Sequence, residues 1–120
     1  MTAPETVTPD DVRRAGDAIR GHVRVTPVLS TPAADFGLSG APLTFKLEFM
    51  QHSGSFKARG AFANLLLRAE TRRGVVAASG GNHGAAVAYA ARQLGIPAHI
   101  FVPQIASPAK IERIKSYGAE

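Results

Sequence analysis

The sequence predicts an α/β fold built on a parallel sheet, and three observations carry that prediction. From Gly74 onward the pattern runs strand, loop, helix, strand, helix. Gly74-Val75-Val76-Ala77-Ala78 and Ala98-His99-Ile100-Phe101-Val102 are apolar runs of strand length, each followed by apolar residues at helical spacing. The helix between them is the right-handed crossover that joins two parallel strands.

The elements follow in chain order. Residues 1–7 show no element signal and are expected to form a loose terminus. Thr8-Pro9-Asp10-Asp11 is a helix start, with Thr8 as N-cap, Pro9 in the first helical position and acids in the first turn. Val12, Ala15, Ala18 and Ile19 would be its apolar face and Gly21 its stop. Thr26-Pro27-Val28-Leu29 is extended, because a residue before proline avoids the helical region. Ser30-Thr31-Pro32 starts a short helical turn ending near Gly37, and Gly40-Ala41-Pro42 is a turn. Leu43 to Glu48 alternates apolar and polar residues, the pattern of a strand with one wetter face. A loop over Phe49–Gly54 leads to a helix from about Ser55 to Ala69, whose apolar positions are Phe62, Leu65, Leu66 and Ala69. The strand at Gly74–Ala78 is expected to be buried. Ser79-Gly80-Gly81 is a tight loop, Asn82–Leu94 a helix closed by Gly95, Ala98–Val102 a strand, and Ser107 to about Tyr117 a helix with Gly118 after it.

After that helix stop the alternation calls for another strand, and two parallel strands alone leave unpaired edges. The sequence is therefore expected to be the N-terminal piece of a longer chain. Its 120 residues hold one modest core, and 45% hydrophobic with 19% charged residues is the balance of a soluble globular protein. No apolar run approaches the ~20 residues that span a bilayer, and Met1–Glu5 lacks the basic and apolar regions of a secretory signal. The absence of cysteine excludes disulfides and thiolate metal sites and makes the cytoplasm the default compartment. The net charge of +5 is spread over Arg13, Arg14, Arg20, Arg24, Arg68, Arg72, Arg73, Arg113 and Lys115. Without a stripe or motif, that is a solvated basic surface rather than a nucleic-acid interface, and it is compatible with an anionic small-molecule ligand.

Two segments carry chemistry. Ser79-Gly80-Gly81-Asn82-His83-Gly84 joins the carboxyl end of a strand to a helix start, where ligands of open α/β sheets bind. Glycines admit a ligand to the backbone, and the free amides of the first turn are anion donors for a carboxylate or phosphate. The loop is neither a P-loop nor a Gly-x-Gly-x-x-Gly fingerprint, and His83 has no partners at metal-ligand spacing. Lys57, in Gly54-Ser55-Phe56-Lys57-Ala58-Arg59-Gly60-Ala61, stands where a helix begins. The positive end of the helix dipole disfavours a cation there, so this ammonium is expected to lose its proton more readily and to act as a Schiff-base nucleophile. Taken singly, the glycines also suit a plain tight turn and Lys57 a solvated side chain. The combination of a nucleophile with an anion cradle suits a carbonyl cofactor and a carboxylate-bearing substrate.

Together the two segments resemble the serine/threonine dehydratase family of pyridoxal-phosphate enzymes. The resemblance extends over Thr26-Pro27 with Leu29, Lys46 to Gln51, Ile96 to Pro103 and Lys110 to Gly118, which is almost the whole chain. It implies the three-layer, parallel-sheet tryptophan-synthase-β-like fold (fold type II of these enzymes), here incomplete. Residues 1–72 would belong to the larger domain and 73–120 would open the smaller one. Lys57 would form the Schiff base with pyridoxal 5'-phosphate, Phe56 would pack beside the pyridine ring, and Asn82 would bond its phenolic oxygen. Ser79, Gly80, Gly81 and His83 would hold the substrate carboxylate, largely through backbone amides. The implied reaction is β-elimination: released Lys57 takes the Cα proton, the β-hydroxyl leaves, and the aminoacrylate or aminocrotonate product hydrolyses to a 2-oxo acid and ammonia. Threonine and serine are the implied substrates and a homodimer the usual assembly.

Serine racemases resemble the chain closely but carry a serine where Gly80 stands, so elimination is favoured over racemisation, with Ser79 as a conceivable substitute acid/base. A racemase, a hydroxyaspartate ammonia-lyase and a non-catalytic remnant or anion-binding module are the alternatives. The family's downstream phosphate-cradling glycine loop, and the later Ser/Cys at the pyridine nitrogen, have no counterpart in these residues. The 120-residue chain alone is accordingly expected neither to bind the cofactor properly nor to turn over.

Overall fold

The computed structural model describes residues 6–120, so most of the expected loose terminus, residues 1–5, lies outside the described residues. The first helix, α1 (Pro9–Ala18), starts as its sequence requires. The Thr8 hydroxyl accepts from the Asp11 amide at 3.2 Å, and the Asp11 carboxylate accepts from the Thr8 amide at 3.0 Å. This reciprocal capping box satisfies two donors that the first turn leaves free. Ile19 is buried and Ala15 and Ala18 are half-buried, but Val12, expected on the same face, is 63% exposed. It lies on the first turn, whereas Ile19 at the far end joins the core.

Two strands follow, β1 (Val28–Thr31) and β2 (Leu43–Lys46), paired antiparallel from Val28 opposite Lys46 to Thr31 opposite Leu43. The expected extended segment thus forms ladder two residues later than Thr26, since Pro27 has no amide to give; its carbonyl still accepts from Leu47 at 2.9 Å. β2 stops before Glu48 because residues 48–50 wind into a 3₁₀ turn. The turn expected before Gly37 is also 3₁₀, over Ala33–Phe36, with Gly37 at φ +68°. The parallel class therefore describes only the second sheet.

Helix α2 (Lys57–Leu67) is shorter at both ends than the sequence suggests. Phe62 and Leu65 are buried and Leu66 half-buried. Arg68 is extended and a 3₁₀ turn spans Ala69–Arg73, so Ala69 is not in α2; its side chain lies outside the described residues. Strands β3 (Val75–Ala78) and β4 (Ala98–Phe101) pair in parallel, Val75 with Ala98 through Ala78 with Phe101, around α3 (Asn82–Leu94). This is the strand–helix–strand unit the alternation predicts.

The expectation of a buried β3 is corrected. Val75 and Ala77 are half-buried, while Val76 is 69% exposed, because alternate residues face opposite sides and no described element covers the second side. Helix α4 (Pro108–Ser116) starts on its proline, and Gly118 turns the chain at φ +79°. Beyond it Glu120 donates to the Ala98 carbonyl at 3.0 Å and accepts from the Ile100 amide at 2.6 Å, continuing the ladder on the edge of β4 away from β3.

The core lies where α3 packs on α2, β4 and α4. Ala86, Ala90 and Ala91 have no exposed surface, which keeps α3 slim enough for close approach on all these sides. Phe62, 1% exposed, is the largest fully buried side chain. It stacks on His22 at 5.4 Å and meets the edge of Tyr89 at 6.1 Å, and Tyr89 meets Tyr117 at 5.4 Å. Phe62→Ala removes the centre of this chain and is expected to cost about 3–5 kcal/mol in denaturant unfolding; a loss below about 1 kcal/mol would contradict this packing.

Candidate active site

The β3–α3 junction is built around close backbone approach. The Ser79 amide donates to Phe101 O at 2.9 Å and ties the strand end to β4. The Ser79 hydroxyl accepts from the Gly81 amide at 3.2 Å, which closes the loop on itself. Gly81 is the N-cap of α3, and no side chain among the described residues caps the helix. The first-turn amides are therefore open to an anion, as the sequence suggests. Gly84, named in the sequence motif but given no role there, proves essential to the geometry. A Cβ on it would lie 2.3 Å from Ser79 O and 3.1 Å from Ile100 Cγ2, so only glycine lets the first turn sit against the strand end. Gly80 is also enclosed: a Cβ there would meet Ala106 Cβ at 2.8 Å and Val102 Cγ1 at 3.1 Å.

Asn82 and His83 face solvent on the first turn of α3. His83 lines a groove of about 270 Å³ together with Asn64 and with Gly60, which lies one turn on from Lys57. Lys57 is the first residue of α2, with Phe56 as N-cap, so the lysine does stand at the positive end of a helix. Its amine is exposed and lies 5.0 Å from the centroid of the Phe56 ring, which is itself largely exposed. No side chain among the described residues caps α2 either; the Lys57 amide reaches the Ser55 hydroxyl at a long 3.4 Å. Packing of α2 on α3 places the two helix starts in one module.

Sequence reasoning missed the polar cluster behind Lys57. Glu48 accepts from Arg59 Nε at 2.9 Å and Nη2 at 2.7 Å, and from the hydroxyl of buried Thr26. Lys46 Nζ lies 3.5 Å from the same carboxylate and donates to the Thr26 hydroxyl at 2.7 Å. Beside it, the buried Gln51 amide accepts from the Arg24 and His52 amides at 2.9 and 3.0 Å and donates to Arg24 O at 2.9 Å. The only signals in the sequence were a glutamate closing an apolar strand pattern and an arginine two residues past Lys57.

The Arg59 hydrogen bonds, helped by Thr26 and Lys46 and opposed by burial, hold Glu48 down at about 2, from an ordinary 4.5. Glu48 in turn raises Arg59 above its usual range. Burial, then Arg24, pushes His52 below the usual imidazole range; its Nδ1 lies 2.9 Å from the Tyr89 hydroxyl on α3. Ser53, φ +55° and 5% exposed, has a hydroxyl without a hydrogen-bond partner among the described residues. Among the described residues no three His, Cys, Asp or Glu side chains cluster as a metal site, and no helix is long and apolar enough to cross a membrane.

A parallel strand–helix–strand unit with an uncapped, glycine-lined helix start at the strand's carboxyl end defines the class: an α/β protein of the kind whose ligands bind at that end of the sheet. Residues 19–120 match the family described as "Pyridoxal-phosphate dependent enzyme". The whole chain aligns at 46% identity with 38% of the phenylserine dehydratase of Ralstonia pickettii. Among solved structures, maize serine racemase superposes with a TM-score of 0.86 at 40% identity, covering 97% of this chain and 36% of that one. The serine racemase of Dictyostelium discoideum gives 0.82 at 38% identity, covering 96% and 38%, and a T.th. threonine deaminase gives 0.81 at 38% identity, covering 95% and 36%. The chain belongs to the pyridoxal-phosphate-dependent enzyme family, and the fold class and cofactor expected from the sequence stand. It spans about 38% of the length of the dehydratase.

Glu48 yields a pH dependence. Its folded value lies below its unfolded one, so the unfolded chain binds the extra proton. Its contribution is complete above about pH 5 and is lost as the pH falls toward 2, up to about 3 kcal/mol. Urea unfolding across this range should show an acid limb that Glu48→Gln flattens; an unchanged limb would contradict the assignment.

Proposed function

We propose that this chain carries the lysine-bearing part of a pyridoxal-phosphate-dependent threonine/serine ammonia-lyase. The observation that supports it best is the pairing, in one packed module, of an exposed lysine at the start of α2 with an uncapped, glycine-lined start of α3. The residues suit the cofactor: a free amine for its aldehyde at Lys57, an exposed ring at Phe56, and an exposed amide side chain at Asn82 for its phenolic oxygen. When bound, the cofactor supplies the electron sink that makes the substrate Cα–H acidic.

The rest is the work of the protein's own groups. Lys57 Nζ takes the Cα proton of the hydroxy amino acid. The open amides of the first turn of α3, from Asn82 on, with Ser79, Gly80, Gly81 and His83 around them, hold the substrate carboxylate against the positive helix end. The β-hydroxyl then leaves as water, and the resulting 2-amino-2-alkenoate tautomerises to an imine that a second water hydrolyses to a 2-oxo acid and ammonia. In this reading residues 1–72 belong to the larger domain and 73–120 open the smaller one, in a cytoplasmic enzyme that works as a homodimer.

Racemisation is the second reading, favoured by the likeness to maize serine racemase. It requires an acid/base on the opposite face of Cα. Gly80 offers no side chain, and the space where one would begin is closed by Ala106 and Val102.

In the full-length protein loaded with the cofactor, L-serine and L-threonine should yield 2-oxo acid and ammonia with little D-isomer. Lys57→Ala should lower this turnover at least about a thousandfold, within the range of general acid–base catalysis. D-Serine formation at a rate comparable with elimination would overturn the preference, and retained turnover in Lys57→Ala would overturn the role of the lysine.

A further inference from the structure

Three features of the start of α2 bear on how Lys57 is aimed. First, the helix start is weakly fixed by its own residues. No side chain caps it, the Lys57 amide finds only the distant Ser55 hydroxyl, and the chain reaches it through Ser53 and Gly54, both at positive φ (55° and 67°). Second, Arg59 sits in the same first turn, two residues on. At about 100° per residue, positions two apart point to nearly opposite sides of a helix. Holding Arg59 inward therefore turns Lys57 outward, and the structure has Arg59 half-buried and Lys57 exposed.

Third, Arg59 is held at two points. Its Nε and Nη2 bond different oxygens of Glu48, at 2.9 and 2.7 Å, and a two-point contact fixes rotation as well as distance. Glu48 is itself anchored by Thr26, which is 3% exposed, and lies in the turn that Gln51 pins to the Arg24 backbone.

We propose that Glu48 and Arg59 are positioning residues for Lys57: their forked contact sets the rotation of the first turn of α2, and with it the direction in which the Lys57 amine leaves the helix. The inference rests on the reading of Lys57 as the reactive lysine, and it names the groups that make that lysine effective without touching substrate. Charge alone does not suffice. Lysine at position 59 keeps the charge but offers a single point of contact, and aspartate at position 48 keeps the fork but withdraws it by one methylene.

The test uses the full-length protein with Arg59→Lys and Glu48→Asp, two conservative variants that give independent chances of a folded product. In the cofactor-free protein, reductive methylation with formaldehyde and borohydride is followed at each lysine by mass spectrometry, with exposed Lys110 as internal reference. The ratio of Lys57 to Lys110 labelling should change at least about threefold. In the loaded enzyme, kcat should fall about ten- to a hundredfold, the scale of an ångström-sized misplacement, with KM within about threefold of the parent. A lowered melting temperature with a parental labelling ratio and parental kcat would make the pair a structural support only, and overturn the proposal. So would variants indistinguishable from the parent in every readout. If the loaded parent shows no turnover at all, the functional reading fails, while the labelling ratio still decides whether the pair aims Lys57.

Discussion

The carboxylate of Glu48 is the point on which the first half of the molecule depends. It gathers Arg59 from α2, Thr26 from the segment before β1 and Lys46 from the end of β2. Arg59 and Thr26 are 11 and 22 residues away in sequence, so one acid closes loops that no local hydrogen bond closes. An ion pair of this kind is a weak source of net stability, because desolvation offsets attraction, but leaving either partner unpaired is costly. Its contribution is specificity of arrangement: the two-stranded sheet, the 3₁₀ turn after it and the first turn of α2 become one rigid piece.

The second half depends on the absence of side-chain bulk. Alanines let α3 approach α2, β4 and α4 together, and Gly84 lets its first turn sit on the carbonyl of Ser79. The consequence is an uncapped helix N-terminus held firmly at the mouth of a parallel strand pair. The two halves meet where α2 packs on α3, reinforced by His52 stacked on Tyr89 and bonded to its hydroxyl. The first turn of α2, tied down by the Glu48–Arg59 ion pair, and the uncapped start of α3, held by close packing, thus share one frame.

How much of this was legible in the sequence follows the range of the interactions. The α1 cap was readable because Thr8 and Asp11 are three residues apart, and the α3 limits because Asn82 and Gly95 mark them directly. The parallel unit was readable from periodicity. Pairing of β1 with β2 was not, since it depends on a ladder formed across the turn at Ala33–Phe36. The burial of β3 was overread because an apolar run says nothing about whether both faces are covered, and Val76 is not. The places of Lys57 at the start of α2 and of the glycine loop and Asn82 at the start of α3 were legible from local context. Glu48, Arg59 and Gln51 were missed because their partners are distant in sequence, and Gly84 was seen but not explained because the reason is the carbonyl of Ser79, on the far side of the loop.

The central claim is that Lys57 is the lysine this frame holds ready for a carbonyl. Its most direct test is to incubate the full-length protein with pyridoxal 5'-phosphate, reduce with borohydride, and locate the phosphopyridoxyl group by peptide mass spectrometry. The account predicts the modification on Lys57, at one equivalent per chain. Modification on Lys46, Lys110 or Lys115 with Lys57 untouched would contradict it.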